Sequence, residues 1–149
     1  MHLLALPLIV ASLSASACPD LAGTYATCRS TMGSASNSHD MSIIQSSRRG
    51  VTTYSIKMTY DESGEPGSET IMSDGKPHSE IADSDEGQVI YTSTARCEGN
   101  ALINDVVIKM DGIEIAGMEM KYTKSGNTLT NETKGHLFGF PSQDTLICE

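Results

Sequence analysis

Between Thr53 and Tyr60 polar and apolar side chains change places at every residue: Tyr54, Ile56, Met58 and Tyr60 alternate with Thr53, Ser55, Lys57 and Thr59. A repeat of two residues puts every second side chain on one side of an extended chain, so this stretch buries a single face only as a β-strand. Val89, Tyr91, Ser93 and Ala95 repeat the pattern against Ile90, Thr92, Thr94 and Arg96. No segment of helix length carries apolar residues at helical spacing. The chain therefore reads as all-β.

Turn signals cut these runs at short intervals: Arg49-Gly50, Asp74-Gly75, Gly99-Asn100, Asp111-Gly112 and Ser125-Gly126. Asp-Gly is the strongest, because both central residues of a tight hairpin turn take positive φ. A two-residue loop at Asp111-Gly112 sets Met110 opposite Ile113 and Ile108 opposite Ile115. A loop at Gly99-Asn100 sets Cys97 opposite Leu102, Ser93 opposite Val106, Tyr91 opposite Ile108 and Val89 opposite Met110. The two registers agree on one apolar face. The alternation then slips, since Ile113 and Ile115 have one parity and Met118, Met120 and Tyr122 the other; a β-bulge at Gly117 would restore it. A Ser125-Gly126 loop would set Tyr122 opposite Leu129.

The strands so defined cover 21–28, 40–47, 51–61, 69–73, 78–83, 88–97, 101–110, 113–124, 127–138 and 144–148. Consecutive hairpins make an antiparallel up-and-down meander. A sheet this long in so short a chain tends to close on itself, because closure removes its edges. The expected fold is an antiparallel β-barrel of eight to ten strands; a two-sheet β-sandwich is the alternative.

Before the first strand, Leu3 to Ala11 is almost wholly apolar and ends in Ala15-Ser16-Ala17, a small-residue processing pattern. Residues 1–17 read as a cleaved export signal, and 18–149 as one domain. The run is too short to cross a bilayer, which takes about 20 residues, so no transmembrane span is expected. Export places the chain in the periplasm or outside the cell. Cleavage after Ala17 makes Cys18 the first mature residue, so an acyl anchor on Cys18 is the alternative to plain secretion. A formal charge of −9 and an isoelectric point near 4.8 argue against nucleic-acid binding. Nine acidic residues and one base, Lys76, fall between Asp61 and Glu86, a net −8; this segment reads as a solvated rim, or as a surface for a basic protein partner.

The four cysteines, Cys18, Cys28, Cys97 and Cys148, suggest two disulfides in an exported protein. With residues 21–28 as one strand, Cys18 and Cys28 lie about 30 Å apart at 3.3 Å per residue and cannot bond. In an even-stranded barrel the last strand ends beside the start of the first. That predicts Cys18–Cys148 as a clasp on the barrel seam, and leaves Cys28 for Cys97.

The "DLAGTY" of residues 20–25, with Gly23 and Tyr25 just ahead of the first strand, resembles the Gly-x-Trp/Tyr opening of lipocalin-like and other calycin barrels. Together with Asp74-Gly75-Lys76-Pro77-His78, the stretch from Ala95 to Leu102 around Cys97, and the terminal Cys148, it is similar to small exported barrel proteins of Gram-negative bacteria. The resemblance implies a lipocalin-like barrel and, for most such proteins, no established activity.

Chemistry-bearing patterns are sparse. His39-Asp40 and His78-x-Glu80 each pair a base with an acid, but no G-x-S-x-G setting or reactive cysteine accompanies them. His39, His78 and His136 lack zinc-ligand spacing. Asp83-Ser84-Asp85-Glu86-Gly87 begins like a calcium loop and then lacks its later ligands. Asn131-Glu132-Thr133 fits a glycosylation acceptor pattern and reads as strand. The expectation is a non-enzymatic protein without metal or cofactor. Tyr54, Ile56, Met58, Tyr91, Ile108, Met118, Met120 and Tyr122 are the candidate lining of a barrel interior that binds a small apolar or amphipathic molecule. The alternative is a protein–protein module, such as an exported inhibitor of a lysozyme-like or protease partner.

Overall fold

The computed structural model of the protein describes residues 17–32, 39–60, 67–84 and 87–149. The expected export signal up to Ser16, and Asp61, Glu62, Glu65, Asp85 and Glu86 of the acidic segment, lie outside the described residues, and with them the centre of the calcium-like loop. Ten strands follow one another: β1 (Gly23–Ser30), β2 (His39–Arg48), β3 (Val51–Tyr60), β4 (Gly67–Met72), β5 (Pro77–Ser84), β6 (Gly87–Glu98), β7 (Ala101–Met110), β8 (Ile113–Ser125), β9 (Thr128–Leu137) and β10 (Phe140–Cys148). Each expected strand is present. β10 is longer than expected, because Phe138-Gly139, with φ of 49° and 80°, makes a hairpin turn inside the segment expected to continue β9. Arg49-Gly50 and Asp111-Gly112 turn in the same way, with positive φ at both central residues as a type I′ turn requires.

All ten strands belong to one antiparallel sheet in the order β4-β3-β2-β1-β10-β9-β8-β7-β6-β5, curled into a half-barrel. The chain's first and last strands are hydrogen-bonded to each other, so the meander joins head to tail. The ladder is interrupted elsewhere, between β4 and β5, which end the sheet. Thr52, Tyr54, Ile56 and Met58 on β3 and Glu69 and Ile71 on β4 face inward, as the pairs Tyr54–Ile71 and Ile56–Glu69 require. The deepest packing lies toward one end, where Leu21, Tyr25, Tyr54, Ile71, Leu102 and Leu129 are buried.

The chain leading into β1 folds across that end. Leu21 is fully buried, and its amide donates to Oε1 of Gln45 (2.9 Å). The Tyr54 hydroxyl donates to the Pro19 carbonyl and the Tyr25 hydroxyl to the Leu21 carbonyl, each at 2.8 Å. Lys124 reaches over the same end, donating to the Ala22 carbonyl (2.7 Å) with its ammonium 5.9 Å from the centre of the Tyr25 ring. Gly23 leaves room for that ring; a Cβ there would meet it at 3.4 Å.

The β6–β7 register is the expected one, Cys97 facing Leu102, Ser93 facing Val106, Tyr91 facing Ile108 and Val89 facing Met110. Two local details differ. The irregularity in β8 falls at Ile115 rather than Gly117: Met110 pairs with Ile113 and Lys109 with Glu114, but Ile108 pairs with Ala116. The carbonyl of Ile115 instead accepts from Phe138 (2.7 Å), and Gly117 serves close approach, since a Cβ there would fall 2.7 Å from His136 Cε1. The β8–β9 loop is Gly126-Asn127, with Ser125 paired to Thr128, so Tyr122 faces Asn131 and Leu129 faces Lys124. Gly126 takes the first loop position with φ of 59°, the place a type II′ turn reserves for glycine.

The disulfides are Cys18–Cys97 and Cys28–Cys148, not the expected Cys18–Cys148 and Cys28–Cys97. The expectation treated the strand ends as level. Strands of a curled sheet are staggered, and here β10 meets β1 through Cys28–Cys148, Arg29–Ile147 and Ser30–Leu146. The seam disulfide is therefore a cross-strand bond between buried neighbours. Cys18, ten positions earlier, crosses the barrel end to Cys97 at the close of β6. Its sulfur is committed there, which leaves no thiol for an acyl anchor.

Two outcomes follow. Non-reducing peptide mapping should return the Cys18–Cys97 and Cys28–Cys148 peptides; a Cys18–Cys148 peptide would overturn the register. Loops spanning 79 and 120 residues each restrict the unfolded chain by roughly 4–5 kcal/mol in the chain-entropy account. Cys18→Ser and Cys97→Ser should thus lower the urea midpoint equally, and the double variant no further. Separately, a Cβ on Gly135 would overlap the Gly117 carbonyl and lie 2.8 Å from Met118 Cα. Gly135→Ala should cost about 1–3 kcal/mol, as overpacking of a tight site does, read by the same denaturation.

Candidate functional site

Where β4 and β5 part, a cleft of about 290 Å³ opens into the concave side, lined by Glu69, Thr70, His78, Glu80, Tyr91 and Ser93 among others. Register explains the lining. Glu69 lies opposite Ile56 on β3, while His78 and Glu80 lie opposite Ser93 and Tyr91 on β6, so all carry inward parity. The two walls meet through side chains instead of a ladder. The Tyr91 hydroxyl donates to Glu69 Oε1 (2.7 Å), and Asn104 Nδ2 donates to the same oxygen (3.4 Å). Ser93 Oγ donates to Asn104 Oδ1 (2.6 Å). Asn104 is fully buried, and a buried amide without partners would be costly, so this network fixes where Glu69 sits.

The field at this point is negative. Burial first, then the charge and hydrogen bond of Glu69 and the charge of Glu80, push the Tyr91 hydroxyl far above the ordinary tyrosine range. Tyr122 is raised in the same direction, by burial and then by Glu69. At the lip, the Lys76 amide and then His78 hold the Asp74 carboxyl below its usual range; His78 Nε2 lies 3.0 Å from both Asp74 oxygens.

These groups do not form a nucleophile–base pair. His78 engages Asp74, and the Ser93 hydroxyl across the β5–β6 pair turns to Asn104. The other histidines lie elsewhere: His39 begins β2, and His136 sits 3.2 Å from Glu114 on the outer face of β8 and β9. Among the described residues no three metal-ligating side chains cluster, and no helix is long and apolar enough to cross a membrane.

The eight candidate lining residues divide by depth. Tyr54, Ile56 and Tyr122 are buried in the packed end. Met58 and Met120 are half-buried against that core, and Ile108 and Met118 are half-buried farther along the concave face. Tyr91 lies in the cleft itself. Sequence reasoning missed Glu69, Ser93 and Asn104. A signal existed: Asn104 interrupts an inward apolar series of Leu102, Val106 and Ile108, and the predicted β6–β7 register already put Ser93 beside it. The acidic segment does not present one continuous outer face among the described residues, since Glu69 and Glu80 point inward, Asp74 turns to His78, and Asp83 is exposed.

No family model, curated protein or solved structure matches the chain.

Burial, and secondly the charge of Asp20, push the Tyr54 hydroxyl up to about 12. A raised folded-state value favours the neutral form, so its contribution to stability is complete below about pH 10 and disappears as the pH rises through about 12. Tyr54→Phe should cost about 0.5–1.5 kcal/mol at neutral pH for the lost Pro19 bond. It should also flatten the fall in stability above pH 10. Urea titrations of both proteins from pH 8 to about 12 check this; equal slopes would contradict it.

Proposed function

We propose that the protein is an exported, non-enzymatic, lipocalin-like barrel that binds a small amphipathic molecule on its concave face. The single observation behind this reading is the composition of that face. It carries a hydrogen-bonded polar group, Glu69, Tyr91, Asn104 and Ser93, and by strand parity also half-buried Met58, Ile108, Met118 and Met120. A packed core normally excludes such polar groups, whereas small-molecule sites combine a few placed polar groups with apolar walls. The cleft volume suits a small head group, and the apolar residues beyond it suit a chain. Methionine adapts to varied apolar partners. The two disulfides fit an oxidising, exported setting. The Gly23-x-Tyr25 opening supports the lipocalin-like assignment.

Native mass spectrometry of the mature protein with a panel of single-chain lipophiles tests the reading. One ligand per protein is expected. Ile108→Trp, which fills the half-buried wall, should weaken binding about ten-fold, the loss of roughly 1.4 kcal/mol, while leaving the melting temperature nearly unchanged. A panel in which nothing binds would refute the proposal.

A further inference from the structure

The charges on the concave face are unbalanced. By strand parity, the inward carboxylates of the described residues include Glu69 on β4, Glu80 on β5 and Asp144 on β10. The inward ammonium is Lys124, and it is spent at the plugged end on the Ala22 carbonyl. Lys57, Lys109, Lys121, Lys134 and Arg96 all have outward parity. Asp144 is satisfied locally by Ser30 Oγ, at 2.7 and 2.8 Å, and by the Thr145 amide. That leaves Glu69 and Glu80, on the two strands between which the ladder is broken, lining one cleft. Among the described residues no Lys or Arg takes part in that cleft, and His78, which also lines it, is engaged by Asp74.

We infer that the head group bound in the β4–β5 cleft is an organic ammonium, held between Glu69 and Glu80. This rests on the amphipathic-ligand reading above and narrows its chemistry. The geometry favours a cation for three reasons. Glu69 receives both of its hydrogen bonds from the protein on Oε1, so the carboxylate is oriented by neutral donors that do not cancel its charge. Glu80 supplies a second carboxylate from the opposite lip, and like charges across a gap repel until a cation lies between them. The ring of Tyr91 also lines the cleft beside Glu69, and aromatic faces attract ammonium groups. A carboxylate or phosphate head group would instead sit beside two carboxylates with no Lys or Arg among the described lining residues.

Three ligands with the same alkyl chain separate the possibilities: the primary amine, the alcohol and the fatty acid, each below its micelle concentration, measured by calorimetry at neutral pH. The amine should bind at least about ten-fold tighter than the alcohol, the scale of a hydrogen bond to a charged group, and the acid most weakly. Glu69→Gln and Glu80→Gln should each remove most of the amine's advantage, read as the ratio of amine to alcohol affinity on the same variant. Glu80 lies on an edge strand and outside the Asn104 network, so Glu80→Gln remains informative if Glu69→Gln misfolds. Equal binding of amine and alcohol to the parent protein, or an amine preference that survives both substitutions, overturns the cation assignment while the amphipathic reading stands. Failure of all three ligands to bind overturns both.

Discussion

The Cys18–Cys97 bond closes what the β-ladder leaves open. Backbone pairing runs continuously from β4 round to β5 and stops there. Across the gap the described contacts include the Gly75 amide to the Ala95 carbonyl (2.8 Å) and the side-chain bonds to Glu69. Each such hydrogen bond contributes about 1 kcal/mol net, well below the several kcal/mol a long-loop disulfide supplies. The bond also draws Pro19 and Leu21 over the barrel end, where Tyr54, Tyr25 and Gln45 fasten them. Ser73, just past β4, lies 3.2 Å from the Cys18 sulfur and accepts from the Thr52 amide. One covalent link thus joins the lead-in to β1 to the end of β6, with Ser73 at the end of β4 in contact with it.

That closure divides the interior. Near the plug the inward side chains pack as a core. Away from it the same strands continue, but β4 ends the sheet and inward Tyr91, Ile108 and Met118 of β6–β8 remain half-buried. Polar groups at the boundary are tolerable because they satisfy one another: Ser93 donates to Asn104, and Asn104 and Tyr91 donate to Glu69. An isolated carboxylate in the packed end would be far more costly. The candidate site therefore occupies the border between core and opening, where burial orients side chains and solvent still reaches them.

Much of this was legible in the residues. Strict alternation and glycine-containing turns gave the strands and the β6–β7 register, because a two-residue hairpin loop leaves only one way to pair its flanks. Register errors arose where the loop residues were ambiguous, at Ser125-Gly126-Asn127, and where a bulge offset the count, at Ile115. The Phe138-Gly139 turn was unreadable because phenylalanine rarely takes positive φ. Glu69 looks like an ordinary strand residue in the sequence; only its parity, fixed by pairing with Ile56, turns it inward.

Local side-chain pattern, which acts between residues a few positions apart, by itself determined that this chain is an antiparallel β meander with crosslinked cysteines. The tertiary structure alone decided which cysteines meet, where the ladder breaks and which carboxylates line one cleft. Those depend on the stagger accumulated over all the strands as the sheet curls. A shift of one residue at any hairpin moves every later side chain to the other face, so no short stretch of sequence contains the answer.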